Sequence, residues 1–264
     1  MNSVTNEEMP DWKLPRGVDR ALWTYSRTER LAEEESAFFA NDALCGRDLD
    51  LVAARFSTPG SLIDLGCGAG RASLAFAERG FSVLAVDLAL PMLRQLSKDR
   101  RTCLSLMPLR ASICDLGAVR SAAFDYALML FSTLGMVRGV AARRAALAEA
   151  ARVVKPGGWL ALHAHNVLAN RHNPQGRVWL ARDLVASLLR SPERGDRTMV
   201  YRGIPNLVVH QFRWRELART LRDSGWRIHE VVPLQGRPGA RIPKVMPRLR
   251  SDGWMVFARR EARG

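Results

Sequence analysis

The run Asp64-Leu65-Gly66-Cys67-Gly68-Ala69-Gly70 brings a carboxylate and three glycines into seven residues. Glycines let a backbone turn sharply and approach a ligand closely. If the turn opens a helix, its free N–H groups and positive dipole end suit a carboxylate or a phosphate. Asp87 follows Gly66 by 21 residues, and a carboxylate there can accept hydrogen bonds from both ribose hydroxyls of a nucleoside. Asp115, in Ala111-Ser112-Ile113-Cys114-Asp115-Leu116, is a third acceptor that could take the exocyclic amine of an adenine. An aspartate at such a place can equally cap a helix. The glycine spacing is GxGxG with Arg71 next, which departs from the GxGxxG dinucleotide fingerprint and argues against a nicotinamide dehydrogenase.

These groups need elements to hold them. Ser61–Leu65 reads as a buried strand, 71–79 as a helix stopped by Gly80, and 81–86 as a second strand ending at Asp87. A helix is expected over 92–100, with Pro91 near its first turn. Strands are expected over 104–109, 124–130 and 159–163, with an alanine-rich helix over 139–153. This alternation predicts an α/β fold, a parallel sheet covered by helices on both faces. Residues 1–56 read as an N-terminal helical arm that lids the rest, helical from 20 to 56 with interruptions near Asn41 and Gly46. Its Glu33, Glu34 and Glu35 are expected on a solvated face. Residues 57–264 form the main domain. Within it, 167–212 breaks the alternation and reads as an insertion with one helix over 178–189. A helix over 214–224 and strands over 227–233 and 253–258 close the chain.

The stretch IDLGCGAGRASLAFAERGFSVLAVDLALPML resembles the cofactor-binding half of class I S-adenosylmethionine-dependent methyltransferases, and ARVVKPGGWLALHAHN is similar to the helix, turn and fifth strand of that family. The resemblance implies a Rossmann-like doubly wound sheet of seven strands with the last antiparallel, and S-adenosyl-L-methionine as cofactor. By that resemblance Asp64, Gly66, Cys67 and Gly68 hold the methionine part, and Gly70 allows close helix packing. Asp87 binds the ribose, with Leu88 beside the adenine. Cys114 and Asp115 flank the adenine edge, and Leu130 and Phe131 lie beside the methyl group. Leu130 and Phe131 also read simply as core.

The acceptor is less legible. Methyl transfer from a sulfonium needs alignment and exclusion of water, and a base only when the acceptor must lose a proton. His163 and His165 end the fifth strand on one face, beside Asn166, and either is a candidate base. Both also read as packed histidines. Tyr25 and Trp23, in the arm, could close over the cofactor or pack the arm down. Tyr201 and His210 are weaker candidates from the insertion. Leu130-Phe131-Ser132-Thr133 stands where amino-group and adenine methyltransferases carry Asn/Asp-Pro-Pro-aromatic, and no cysteine follows a proline as in cytosine C5 methyltransferases. What remains is O-, N- or C-methylation of a small molecule, a modified nucleoside or a protein, and a small-molecule acceptor is expected because no RNA-binding module is appended. An RNA or tRNA methyltransferase and a non-catalytic cofactor-binding module are the alternatives.

The chain has 264 residues and a formal charge of +14. Residues 1–166 hold 20 Lys/Arg against 18 Asp/Glu, and residues 167–264 hold 20 against 8. So basic a second half suggests an anionic partner, whether metabolite, RNA or acidic protein, or else a solvated arginine surface. Arg237, Arg241, Lys244, Arg248 and Arg250 concentrate in one loop. The apolar runs are far too short for a membrane span and the start is acidic, so neither a membrane partner nor a secretory leader is expected. Cys45, Cys67, Cys103 and Cys114 lack metal or disulfide spacing, which points to a reducing, cytoplasmic setting without a zinc site.

Overall fold

The computed structural model describes residues 9–41, 43–99, 104–235 and 246–261, with only the backbone for 36–41, 43–45 and 99. Arg237, Arg241, Lys244 and Cys103 lie outside the described residues, as does the side chain of Cys45. The arm is three helices, α1 (Arg20–Arg27), α2 (Glu29–Asn41) and α3 (Ala43–Arg55). Asp19 caps α1 by accepting from Leu22 N at 2.9 Å. Then follow β1 (Ser61–Leu65), α4 (Arg71–Glu78), β2 (Ser82–Asp87), α5 (Leu90–Asp99), β3 (Leu106–Arg110) and β4 (Phe124–Met129). The second half holds α6 (Thr133–Met136), α7 (Val140–Val153), β5 (Val154–His165) and α8 (Pro174–Leu188). It ends with β6 (Asp196–Tyr201), β7 (Ile204–His210), α9 (Trp214–Asp223), β8 (Trp226–Leu234), α10 (Pro247–Arg250) and β9 (Gly253–Arg260).

Seven strands form one sheet in the order β3-β2-β1-β4-β5-β9-β8. β1 to β5 pair in parallel, while β9 runs antiparallel to both β5 and β8. The fold is thus the expected Rossmann-like sheet with its last strand reversed. The strand order turns back between β1 and β4, so the glycine loop after β1 sits at the switch point where such sheets bind ligands.

Each face of the sheet is covered. On one, Ala142, Ala146 and Ala150 recur along α7 and let that helix lie close to Leu160 and Leu162 of β5. Trp226 is fully buried there and donates its Nε1–H to Leu147 O at 3.0 Å. On the other, Phe56 of the arm packs among Phe76, Tyr126 and Phe257. Phe56 is only 1 % exposed, so its burial contributes about 1.5–3 kcal/mol toward fixing α3 on the sheet.

The insertion holds more than the one helix expected. β6 and β7 form a two-stranded hairpin joined by Arg202-Gly203. Both turn residues have positive φ, +48° and +84°, the backbone that two-residue hairpins require. Arg-Gly is a weaker turn signal than Asn-Gly, and the nearby prolines and asparagines masked the strands.

Candidate active site

Gly66 turns the chain out of β1 with φ +76°. A Cβ there would stand 2.3 Å from Thr133 Cγ2, so α6 can approach only a glycine. Gly68, at φ +55°, has the opposite surroundings: a Cβ would meet nothing within 4 Å. The space in front of it is cavity. Gly66 N–H and Cys67 N–H both donate to Val86 O, at 2.8 and 3.0 Å, which ties the loop to β2. α4 then starts at Arg71 with no side-chain cap, leaving its first amide groups for another partner.

The two expected carboxylates converge on this loop. Asp64 is 2 % exposed and accepts from Ser73 Oγ at 2.6 Å. Burial raises its carboxyl to about 6, against the pull of Ser73 and Arg71. Asp87 ends β2, where its Oδ2 accepts from Gly68 N–H and its Oδ1 from Ala89 N–H, each at 2.8 Å. Burial also raises Asp87, more than these amide bonds lower it. A carboxylate held up by desolvation gains from a hydroxyl donor or a cation brought to it.

Both line a cavity of about 450 Å³, within the range of small-molecule sites. Cys67, Leu88, Cys114, Leu130 and Phe131 line it too. Gly70 packs under the loop, with Leu96 Cδ1 only 2.2 Å from where its Cβ would be. The stretch 111–114 forms the far wall, but Asp115 does not reach it. The Asp115 side chain is exposed, and its Oδ1 accepts from Gly117 N–H at 3.2 Å within its own turn. The expected adenine-edge role of Asp115 therefore has no geometric counterpart here, and neither has the helix-capping alternative, because the next element is β4 and Asp115 closes a turn instead.

The histidines part ways. His165 lines the cavity beside Phe131, their rings 5.9 Å apart. Burial, then the neighbouring His163, lowers it to about 3, so it is neutral at ordinary pH. His163 is fully buried and outside the lining, with Nδ1 3.2 Å from Asp48 Oδ2. Asp48, also fully buried, takes Arg71 in a two-pronged pair at 2.9 and 3.2 Å. Nothing in the sequence marks Asp48, because its partners are 23 and 115 residues away.

Phe131 and Ser132 close β4 with φ +47° and +63°, left-handed backbone that costs free energy in non-glycine residues. The strain turns both into the cavity, where Ser132 Oγ is buried without a partner.

The roof comes from the arm and the hairpin. Leu22, Tyr25 and Glu35 of the arm and Met199, Tyr201 and Leu207 of the hairpin all line the cavity. Tyr25 OH donates to Glu35 Oε2 at 2.7 Å, and its ring lies 6.1 Å from that of Tyr201. Burial, then the Glu35 carboxyl, pushes the Tyr25 phenol well up, so it is a donor and not a base. Glu35, expected on a solvated face, points inward instead. It is 3 % exposed, its Oε1 has no partner, and burial raises its carboxyl. Leu31, one turn earlier and fully buried, marks the inward face that Glu35 shares. Arg30 donates to Arg202 O at 3.0 Å, fastening arm to hairpin. Trp23 packs the arm, 8 % exposed. His210 is held between Asp196 at 2.7 Å and Glu216 at 2.9 Å, away from the cavity.

The chain is similar to known proteins in sequence over part of its length and in fold over most of it. Residues 63–162 match the family model described as a methyltransferase domain. Over 103 residues the chain is 41 % identical to the malonyl-[acyl-carrier protein] O-methyltransferase of Salmonella typhimurium, covering 38 % of this chain and 37 % of that one. Over 120 residues it is 33 % identical to the ubiquinone biosynthesis O-methyltransferase of Xanthomonas campestris, covering 45 % and 48 %. The chain thus spans less than half the length of these curated relatives. Among solved structures, a methyltransferase from Methanosarcina mazei aligns with TM-score 0.64 and 22 % identity over 80 % of this chain and 98 % of that one. The 1,6-didemethyltoxoflavin-N1-methyltransferase of Burkholderia thailandensis, solved with its acceptor and S-adenosylhomocysteine, aligns with TM-score 0.62 and 16 % identity over 94 % of both. These two confirm the fold.

Residues 63–162 thus match a methyltransferase domain set in a fold shared with solved methyltransferases, and the cofactor that the sequence resemblance implies is S-adenosyl-L-methionine. The residues present fit that group. Gly68 leaves open space against the cavity, and two buried carboxylates with raised proton affinity await a hydroxyl pair and a cation.

Proposed function

We propose that the chain transfers a methyl group from S-adenosylmethionine to a small-molecule acceptor held under a lid made by helices α1 and α2 of the arm and the β6–β7 hairpin. The observation that carries this reading is one continuous cavity running from Asp64, Gly68 and Asp87 to Phe131, His165 and the roof. Asp64, Gly66, Cys67 and Gly68 take the methionine end of the cofactor. Asp87 takes the ribose, with Leu88 and Cys114 along the adenine. When bound, the cofactor supplies an electrophilic sulfonium methyl.

The chain's own groups then do four things. Leu130, Phe131 and the roof keep water from the reacting atoms. His165, neutral, orients the acceptor by a hydrogen bond and is too weak a base to keep its proton. Tyr25 holds Glu35, whose free Oε1 receives the proton of an O–H or N–H acceptor. His163 acts at one remove, fixing Asp48 and through it Arg71 at the start of α4.

Arg16 and Arg71 are the cations of the lining, and Arg71 is already paired to Asp48, so the polar side of the cavity favours a protic acceptor over a strongly anionic one. A cytoplasmic setting belongs to this reading, supported by the free thiols of Cys67 and Cys114. The roof also weighs against a polymeric RNA acceptor. Incubation with S-adenosylmethionine and a panel of small phenols, alcohols, amines and carboxylic acids, followed by S-adenosylhomocysteine release, tests the reading. Turnover on one class supports it. Binding of cofactor without turnover on any class, or turnover on RNA alone, defeats it.

A further inference from the structure

Helix α8 leaves an aliphatic face uncovered, while Trp179 and Leu180 are half-buried beside its inward face. Its inward face carries Gly176 and Asp183, both buried. A Cβ on Gly176 would stand 2.0 Å from Asn170 O, so the helix is pressed onto the segment before it. Asp183 accepts from Gly195 N–H at 2.6 Å and pairs with Arg213. The outward face is aliphatic. Val178, Ala181, Val185 and Leu188 follow the spacing of one helical stripe. Val185 is 55 % exposed and Leu188 75 %, and Leu184 and Leu189 widen the stripe at 59 % and 76 %. Soluble helices place these residue types the other way round.

Cations accompany the stripe. Counting round the helix, Arg182 falls just beside the stripe and Arg177 lies in its first turn at nearly the angle of Leu184, with Arg190 and Arg194 just past the end. All four are exposed, and no described carboxylate pairs with any of them. Two copies meeting on this face would bring eight such arginines together, and each chain already carries +14. The charge therefore selects an anionic occupant. The stripe is convex and wholly aliphatic, a shape that enters a lipid surface while its arginines reach up to headgroup phosphates. Only eight residues separate the end of β5 at His165, which lines the cavity, from the start of α8.

We propose that α8 docks the protein on an anionic lipid surface, lying in the interface. The expectation of no membrane partner rested on spanning segments. Among the described residues no helix is long and apolar enough to cross a membrane, and α8 lies on the surface without crossing. The test is co-sedimentation of the full chain with phosphatidylcholine vesicles and with vesicles that also contain phosphatidylglycerol. Expected is at least tenfold tighter partition onto the anionic vesicles, weakened by salt. The double change Val185→Asp, Leu188→Asp should lower that partition at least tenfold, and Arg177→Gln with Arg182→Gln should remove the preference for anionic lipid. Both variants should keep the melting temperature and S-adenosylhomocysteine binding, which separates this proposal from the methyltransferase reading. Equal partition of the Val185→Asp, Leu188→Asp protein would overturn the proposal, because charge alone would then explain binding. So would a wild type that ignores vesicles yet dimerises or binds an acidic protein through the same residues.

Discussion

Replacing Asp64 by asparagine should make the protein more stable and worse at holding its cofactor. Burial lifts this carboxyl from 3.8 to about 6 in the folded chain. A difference of that size between folded and unfolded chain corresponds to about 3 kcal/mol. The folded protein keeps a proton that the unfolded chain has lost between about pH 4 and pH 6. Stability therefore falls as pH rises through that window, and the whole deficit is present above it. Asparagine resembles the protonated acid and can still accept from Ser73. At pH 8 the variant should gain up to about 3 kcal/mol, or about 6 °C in melting temperature for a chain of this size. At pH 4 the gain should vanish. His165 works the other way: lowered to about 3, it makes stability rise with pH up to its unfolded value near 6.5. Comparing variant with wild type at each pH cancels that contribution. Calorimetry at pH 8 should show S-adenosylhomocysteine bound at least tenfold more weakly by the variant, since a charge-assisted partner is gone. A variant that melts lower at pH 8 and binds as before would show that burial does not strain Asp64 for the sake of a cationic ligand.

Asp87→Ala should also weaken S-adenosylhomocysteine binding at least tenfold, through loss of a two-pronged contact worth roughly 1.5–3 kcal/mol per bond, and unchanged affinity by calorimetry would remove Asp87 from the ribose site. Gly66→Ala forces a Cβ to 2.3 Å from Thr133 Cγ2 at φ +76° and should cost about 2 kcal/mol or more in urea unfolding. Cofactor affinity of the wild type should fall as pH drops below about 6, as Asp64 takes its proton, and a flat profile from pH 5 to 8 contradicts this. Once an acceptor is found, the pH–rate curve should show no limb from His165 near 6.5, because that residue is neutral down to about 3; a limb lost in His165→Gln would show otherwise.

The parts of the site legible in the sequence are the parts made by local chain. Asp64 to Gly70 and Asp87 belong to adjacent strands and their turns, so strand and helix periodicity placed them within a residue or two. What periodicity could not place was made by distant pairing. Asp48 meets Arg71 and His163 across the domain. Glu35 owes its burial to a hairpin some 165 residues further on. Glu33, Glu34 and Glu35 are chemically one run, but helical phase sends the first outward and the third inward. Asp115 shows the converse: residue type and neighbourhood fitted an adenine contact, and the turn from Ser112 to Asp115 leaves it at the solvent. The hairpin escaped because Arg-Gly is an uncommon two-residue turn.

Whether the glycine loop and its two buried carboxylates hold the cofactor is decided by calorimetric titration of the full chain, freed of any cofactor carried through purification, with S-adenosylhomocysteine. The structure predicts one site per chain with micromolar or tighter affinity, weakened at least tenfold in Asp87→Ala. A folded, cofactor-free protein that takes up no S-adenosylhomocysteine would contradict this and leave the chain with the fold of a methyltransferase but not its chemistry.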